Sequence, residues 1–428
     1  MTERRAGGYS LAIVIAAICI DMVGLGMIIP VAPKLIAGLA HVNLSDAARY
    51  GGWLFFVYAA MQFLCAPLIG NLSDRFGRRP VLLLSLAAIG VDYAITGLAP
   101  TIGWLFLART LSGMAGASYT TANAYIADVT APEKRAQAFG LVGAAFSFGF
   151  IVGPAIGGLL GDYSARLPFL VSAGLAFVNA GVGFFVLPES LAKENRRKFE
   201  WWRANPLGAL MALRRFPMVL GLCAMLVLMR IAHDANPATW TYYTMLKFHW
   251  TTEQVGLSLA AIGVALMVVY TWLTRVLIPK LGEVRAVYFG LASGAVAFLG
   301  YALSTQSWML YVWIAVFSLF GLVMPALNAI MSKEVGPSEQ GELQGAITSV
   351  GSLTSIVAPV AMSYLFAAFT GPSAPVYFPG AAFVAASLCL VLAAGVFALV
   401  KPKPVNQPAA DETPYAPYAA GEASDQTG

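Results

Sequence analysis

The sequence predicts an all-α membrane protein: twelve transmembrane helices in two six-helix pseudo-repeats around a central cavity. Three observations lead there, namely the composition, the number and length of the apolar runs, and an internal repeat six runs long. The chain of 428 residues is 59% hydrophobic and 11% charged, with a mean hydropathy of +0.73. A soluble domain carries about a quarter charged residues, so this composition cannot cover a water-facing surface. The net charge of +5 is not a mark of nucleic-acid binding in so apolar a chain. Cys19, Cys65, Cys223 and Cys389 lie singly in four apolar runs, without the spacing of a metal site or a loop disulfide. No metal and no cofactor is expected.

Apolar runs lie at about residues 9–33, 52–71, 80–99, 103–127, 136–161, 167–187, 217–243, 254–277, 285–303, 308–331, 341–369 and 376–400. Each is long enough to cross a hydrocarbon core of about 30 Å as a helix. They are continuous runs of Leu, Ala, Val, Ile and Gly rather than short alternating strands, so each span satisfies its own backbone. The first run holds Asp21 and is too long for a signal-peptide core, so it is read as an uncleaved first span. Residues 1–187 form the first half and 217–400 the second. The linker 188–216 contains Trp201, Trp202 and Asn205-Pro206, and predicts a short helix suited to the headgroup layer. The tail 401–428, rich in Pro, Ala, Gly and acids, predicts disorder.

Lysine and arginine set the orientation. With the N-terminus inside, the inner segments hold twenty of the 26, the outer segments four (Lys34, Arg49, Arg166 and Lys247), and Arg109 and Arg230 fall within spans. Both termini are therefore expected on the cytoplasmic side. A shift of 205 residues pairs Gly116 with Gly321, Asn123 with Asn328, Gly140 with Gly345 and Pro154 with Pro359, and gives nine identities in the 39 positions from 116 to 154. Such a shift covers six spans, an even number, so both copies point the same way and relate by an axis along the membrane normal.

Between spans 2 and 3 stands Gly70-Asn71-Leu72-Ser73-Asp74-Arg75-Phe76-Gly77-Arg78-Arg79-Pro80. It reads as a tight turn, with arginines holding the inner face and Pro80 opening the next helix. This segment resembles the signature loop of the major facilitator superfamily, and Val81-Leu82-Leu83-Leu84-Ser85-Leu86 resembles the tetracycline-efflux branch of its drug:proton antiporters. The resemblance extends through Leu107-Ala108-Arg109-Thr110-Leu111-Ser112-Gly113 in span 4. In span 5, Gly153-Pro154-Ala155-Ile156-Gly157-Gly158 is similar to the antiporter motif.

Charges inside spans mark cavities or partners, because an ionised side chain at the bilayer centre costs at least about 2.5 to 3.5 kcal/mol. Asp21, Asp92, Arg109, Arg230 and Asp234 qualify. At about 1.5 Å per residue, Asp21 and Asp92 each lie near the midplane. A carboxylate there titrates according to whether it is desolvated or beside an arginine, which is what proton coupling requires. The plainer reading is a static pair with Arg109 that fixes helix packing. The resemblance implies a transport role for Asp21, Asp92 and Arg109. It also implies a cytoplasmic gate formed by Gly70, Asp74, Arg75, Gly77, Arg78, Arg79 and Asp128. In span 7, Arg230 and Asp234 stand four apart and could pair, with His233 beside them able to titrate near neutral pH; Asp234 lies about 26 Å along its helix, close to the outer surface, so the alternative is a solvated rim pair. Tyr58, Gln62, Asn123, Tyr125, Trp240, Tyr243 and Asn328 are the candidate cavity lining for a planar amphipathic solute. The glycines of spans 4 and 5 allow close helix contact.

The second half departs from the family. Tetracycline exporters carry an acid in span 9 and a histidine in span 8, whereas 290–298 and 263–268 contain neither. The expectation is a secondary transporter, working as a monomer in the bacterial inner membrane, that exports an amphipathic small molecule in exchange for protons; the proton gradient stands in for any cofactor. Proton-coupled uptake is the alternative within transport. A receptor or membrane enzyme is the alternative outside it, and His41, His233 and His249 are too scattered to build a catalytic set.

Overall fold

The computed structural model describes residues 2–116, 118–131, 134–197, 217–333 and 340–400. The expected linker helix and the tail 401–428 lie outside these residues. Among the described residues every regular element is helical. Span 1 is Thr2–Ile28, span 2 Leu44–Phe76 and span 3 Arg78–Leu98. Span 4 is broken into Ile102–Ala115 and Ser118–Val129; span 5 is Arg135–Tyr163 and span 6 Leu167–Val186. Span 7 is Pro217–Phe248. Span 8 runs through Thr252–Val268, a π-helical turn Val269–Leu273, and Thr274–Leu281. Span 9 is Glu283–Leu303. Span 10 joins Ser307–Ser318 and Val323–Lys333 through a 3₁₀ turn, Leu319–Leu322; spans 11 and 12 are Gln340–Thr370 and Ala381–Val400. A short helix, Ala32–Ala40, with Pro33 in its first turn, follows span 1.

Ten of these helices are long and apolar enough to cross a membrane. The other two fall short for different reasons. Span 4 is divided into pieces of 14 and 12 residues, and among the described residues span 7 is diluted by Arg230, His233, Asp234 and Asn236.

Spans 1 to 6 pack on one another, with span 1 against spans 5 and 6, span 2 against span 4, and span 3 against spans 4 and 6. In the second half span 7 packs on spans 11 and 12, and span 9 on spans 10 and 12. Two long seams join the halves, span 5 against span 8 and span 2 against span 11. Adding six to 2 and 5 gives 8 and 11, so the seams exchange under the repeat, as a two-fold axis along the bundle requires.

The repeat reaches into the backbone. Gly77 and Gly282, 205 residues apart, close spans 2 and 8 with φ of 108° and 77°, in the region open mainly to glycine. Pro154 and Pro359 both lie inside helices. Gly116 ends the first piece of span 4, and Gly321 sits in the 3₁₀ turn of span 10. Each half therefore interrupts its fourth helix at the same place.

Candidate functional site

The first-half site starts from Asp92 in span 3. Its side chain is 2% exposed, and one oxygen is ion-paired with the Arg109 guanidinium of span 4, itself 19% exposed. The other oxygen, Oδ1, is buried with no hydrogen-bond partner, as are the hydroxyls of Thr96 and Ser112. Thr96 lies one helical turn beyond Asp92, and Ser112 one turn beyond Arg109. Tyr58 on span 2 and Tyr93 on span 3 are within electrostatic reach of this pair and also of Asp21 on span 1. Asp21 is half-buried and makes no ion pair among the described residues. Two carboxylates, one guanidinium and two phenols from four spans thus share one electrostatic neighbourhood.

Tyr58 and Gln62 adjoin the break in span 4. Gln62 Nε2 donates to the Gly116 carbonyl at 3.0 Å and lies 3.4 Å from the Tyr58 hydroxyl. A helix break frees a carbonyl that hydrocarbon cannot satisfy, and Gln62 supplies the donor. A side chain at Gly116 would press on the Tyr58 hydroxyl and Gln62 amide, about where a Cβ would meet them at 3.0 and 3.2 Å. Asn123 and Asn328, paired by the repeat, are both half-buried, and Asn328 Oδ1 has no partner.

Three expected lining residues are elsewhere. Trp240 and Tyr243, 1% and 0% exposed, lie in the aromatic core of the second half with Tyr301 and Phe383. The Trp240 indole donates to Ser258 Oγ at 3.0 Å, and the Tyr243 hydroxyl to the Tyr301 carbonyl. Tyr125 is fully buried and donates to the Pro188 carbonyl at 2.9 Å. Sequence position places an aromatic residue on a span but does not say which side of the helix faces the cavity; here the polar tips have found backbone and hydroxyl partners in the packed interior.

The expected pairing of Arg230 with Asp234 is also corrected. Asp234 is buried and its Oδ1 lies 3.2 Å from His233 Nδ1, while Oδ2 has no partner. The Arg230 guanidinium instead lies against Gly351 of span 11, 3.3 Å from where a Cβ would stand, and within electrostatic reach of Tyr270. The bare glycine gives the guanidinium a place away from its own helix.

At the end where the basic residues gather, Arg78 pairs with Asp74 and with Asp128, the latter at 3.3 Å, and donates to Ser73 Oγ at 2.5 Å. Glu189, just past span 6, accepts from the Arg78 backbone N–H at 2.8 Å, and so satisfies the first free donor of span 3. Ser190 donates to Asp128 at 3.1 Å, and the Arg197 amide to the Asp74 carbonyl at 3.1 Å. Arg79 donates to the Phe184 carbonyl and stacks over that ring, Arg75 lies over Phe76, and Gly70 stands in open space. All these partners belong to the first half or the start of the linker.

At the opposite end the halves touch. Ser45 donates to the Thr370 carbonyl at 3.0 Å and Trp53 to the Tyr364 hydroxyl at 2.9 Å, across spans 2 and 11. Asp162, at the end of span 5, accepts from the Thr252 amide at 3.2 Å and from its hydroxyl. It thereby caps the start of span 8, whose capping box is closed by Thr251 and Gln254. The span 5 motif divides its glycines between two neighbours. Gly153 and Gly157 meet the span 1 backbone at Val23, Gly26 and Met27, whereas Gly158 meets Thr252, Glu253 and Gly256 of span 8. Gly26 faces Pro154. Tyr93, Thr96, Ser112, Asp162, Glu189 and Tyr270 were not singled out in the sequence. The signal for Thr96 and Ser112 was available, one turn from a charge inside a span; the partners of the other four are distant in the chain.

Comparison with known proteins agrees with this geometry. The Major Facilitator Superfamily model matches residues 14–358 and 280–423. The tetracycline resistance protein, class C, of Escherichia coli is 37% identical over 359 residues, covering 84% of this chain and 90% of that protein. Multidrug resistance protein 2 of Bacillus subtilis is 29% identical, covering 83% and 88%. The crystal structure of nucleoside transporter NupG superposes with a TM-score of 0.74 at 12% identity, covering 92% of this chain and 99% of that one, a likeness of fold. With the signature loop, the paired seams and the repeat already in place, these matches lead to one conclusion: the chain belongs to the Major Facilitator Superfamily.

Proposed function

We propose that the protein is a drug:proton antiporter of the inner membrane, exporting an amphipathic small molecule by alternating access. The observation that carries this reading is the arrangement of Asp21, Asp92 and Arg109 about Tyr58 and Tyr93. A half-buried carboxylate without an ion-pair partner stands beside a closed, buried pair, so one acid is free to bind and release a proton while the other holds the helices. The 37% identity to a tetracycline resistance protein supports export of a drug-like solute. With the basic end inside, the contacts at Ser45–Thr370, Trp53–Tyr364 and Asp162–Thr252 close the outer end, and the Asp74–Arg78–Asp128 network, satisfied within one half, leaves the inner end free to open. Among the described residues that pattern fits an inward-facing state, ready to take up substrate from the cytoplasm.

In the cycle we propose, substrate enters from the cytoplasm and contacts Tyr58, Gln62 and the Asp21 unit. Release of a proton from Asp21 accompanies binding, the halves rock about the two seams, and a proton from outside resets the carrier after release. One chain holds the whole pathway. The test is transport in everted vesicles with an imposed proton gradient. Asp21→Asn is expected to fold normally and to abolish gradient-driven uptake of drug; full uptake by that variant removes Asp21 from coupling. Flux that runs into the cytoplasm with protons supports uptake instead.

A further inference from the structure

Span 7 keeps a cation near its middle, Arg230, that no acid among the described residues neutralises by contact. Arg230 is half-buried and forms no ion pair or hydrogen bond among the described residues. Asp234, the nearest acid on its own helix, is turned to His233. Such a cation is tolerated at mid-bilayer only beside water or a ligand.

Its surroundings are built from three other spans. Gly351 of span 11 admits the guanidinium, and Tyr270 of span 8 lies within its field. Tyr270 stands in the π-helical turn, and its ring rests on Gly321, with a Cβ position 3.4 Å from the ring carbon Cε1. Gly321 itself lies in the 3₁₀ turn of span 10. Two adjacent helices therefore depart from α geometry where they meet, beside an unpaired arginine. Helix breaks at corresponding places in two repeats point to a binding site, and the matching break at Gly116 already adjoins Tyr58, Gln62 and, two turns away, Arg109.

We infer that Arg230 and Tyr270 form an anion-binding subsite in the second half, and that the transported solute carries an anionic oxygen group, such as a carboxylate or enolate, on its amphipathic frame. The inference rests on the transport reading, whose first-half acids then meet the cationic or polar end of the same solute. Arg230 supplies the fixed charge and the Tyr270 hydroxyl a hydrogen bond.

The test is charge-selective labelling of Tyr270→Cys in a full-length chain whose four native cysteines are serine, in everted vesicles. The probes are methanethiosulfonates of like size, one anionic (ethylsulfonate) and one cationic (ethyltrimethylammonium). The anionic reagent is expected to react about tenfold faster than the cationic one, as a focused positive field requires. Arg230→Gln is expected to abolish that preference and Arg230→Lys to keep it. Salicylate, but not neutral salicylamide, is expected to slow labelling. No labelling at all, a preference for the cation, a preference that survives Arg230→Gln, or equal effects of salicylate and salicylamide would each overturn the subsite. Labelling as expected in a protein that moves no protons would overturn the antiport reading and leave the subsite standing.

Discussion

Arg109 and Asp92 face each other in a place where neither is easily left alone. A buried pair contributes little over an apolar substitute, but removing one partner strands the other charge and costs about 3 to 5 kcal/mol. Arg109→Gln is therefore expected to lower the thermal stability of purified protein sharply, whereas Asp92→Asn combined with Arg109→Gln recovers most of the loss. Equal destabilisation by the single and double variants would show that the pair is not coupled. Asp21 belongs to a different class, because it has no ion-pair partner to strand. Asp21→Asn is expected to leave stability within about 0.5 kcal/mol, the range of substitutions that disturb no contact, measured by the same unfolding assay. Stability and transport thus separate on two acids of one site. Asp21, Asp92 and Arg109 were visible from the sequence because a charge inside an apolar run is rare. Their division into one free acid and one pair was not, since it depends on which helix faces which.

At the level of the helix, the glycines of span 5 are read by what a side chain would strike. A Cβ at Gly157 would run into the Met27 backbone, within one half, and a Cβ at Gly256 into the Pro154 carbonyl, between halves. Backbone atoms cannot swing aside as a side chain tip can. Gly157→Val is expected to reduce folded protein, since it wedges spans 1 and 5 apart. Gly256→Val is expected to leave each half folded while opening the seam, so that cysteines placed at Gly52 and Ser363, which touch across spans 2 and 11, cross-link several-fold more slowly than in the parent. Unchanged cross-linking would mean that the two seams do not move together. The antiporter-like stretch was legible as a place of close contact. Its two-sidedness was not, because a period of 3.6 residues sends Gly157 and Gly158 to different neighbours and the sequence names neither.

For the whole molecule, the twelve-span plan, the six-plus-six division and the 205-residue shift were legible because membrane-length apolar runs and identical residues survive without knowledge of contacts. The shift predicts more than it was drawn from: it relates Gly77 to Gly282 in backbone angle, and the break at Gly116 to the 3₁₀ turn at Gly321. What the chain order hid is which side of each helix turns to which neighbour. Trp240, Tyr243 and Tyr125 went to the core, and Arg230 turned from Asp234 to Gly351. Closure at one end rests on a few polar contacts, with Asp162 spanning the halves to cap span 8. Asp162→Ala is expected to weaken that closure, raising the reaction of a cysteine at Gly52 with an impermeant thiol reagent applied from outside by about tenfold, as loss of one charged cap worth about 1 to 2 kcal/mol implies. An unchanged rate would show that the other outer contacts suffice.

In the proposed cycle the half-buried Asp21 trades a proton for substrate. The most direct measurement is the pH change on adding tetracycline to concentrated purified protein in weakly buffered detergent solution. Stoichiometric proton release is expected from the parent protein and none from Asp21→Asn, with binding retained. Tetracycline binding without proton release in the parent, or equal release in the variant, would contradict that cycle.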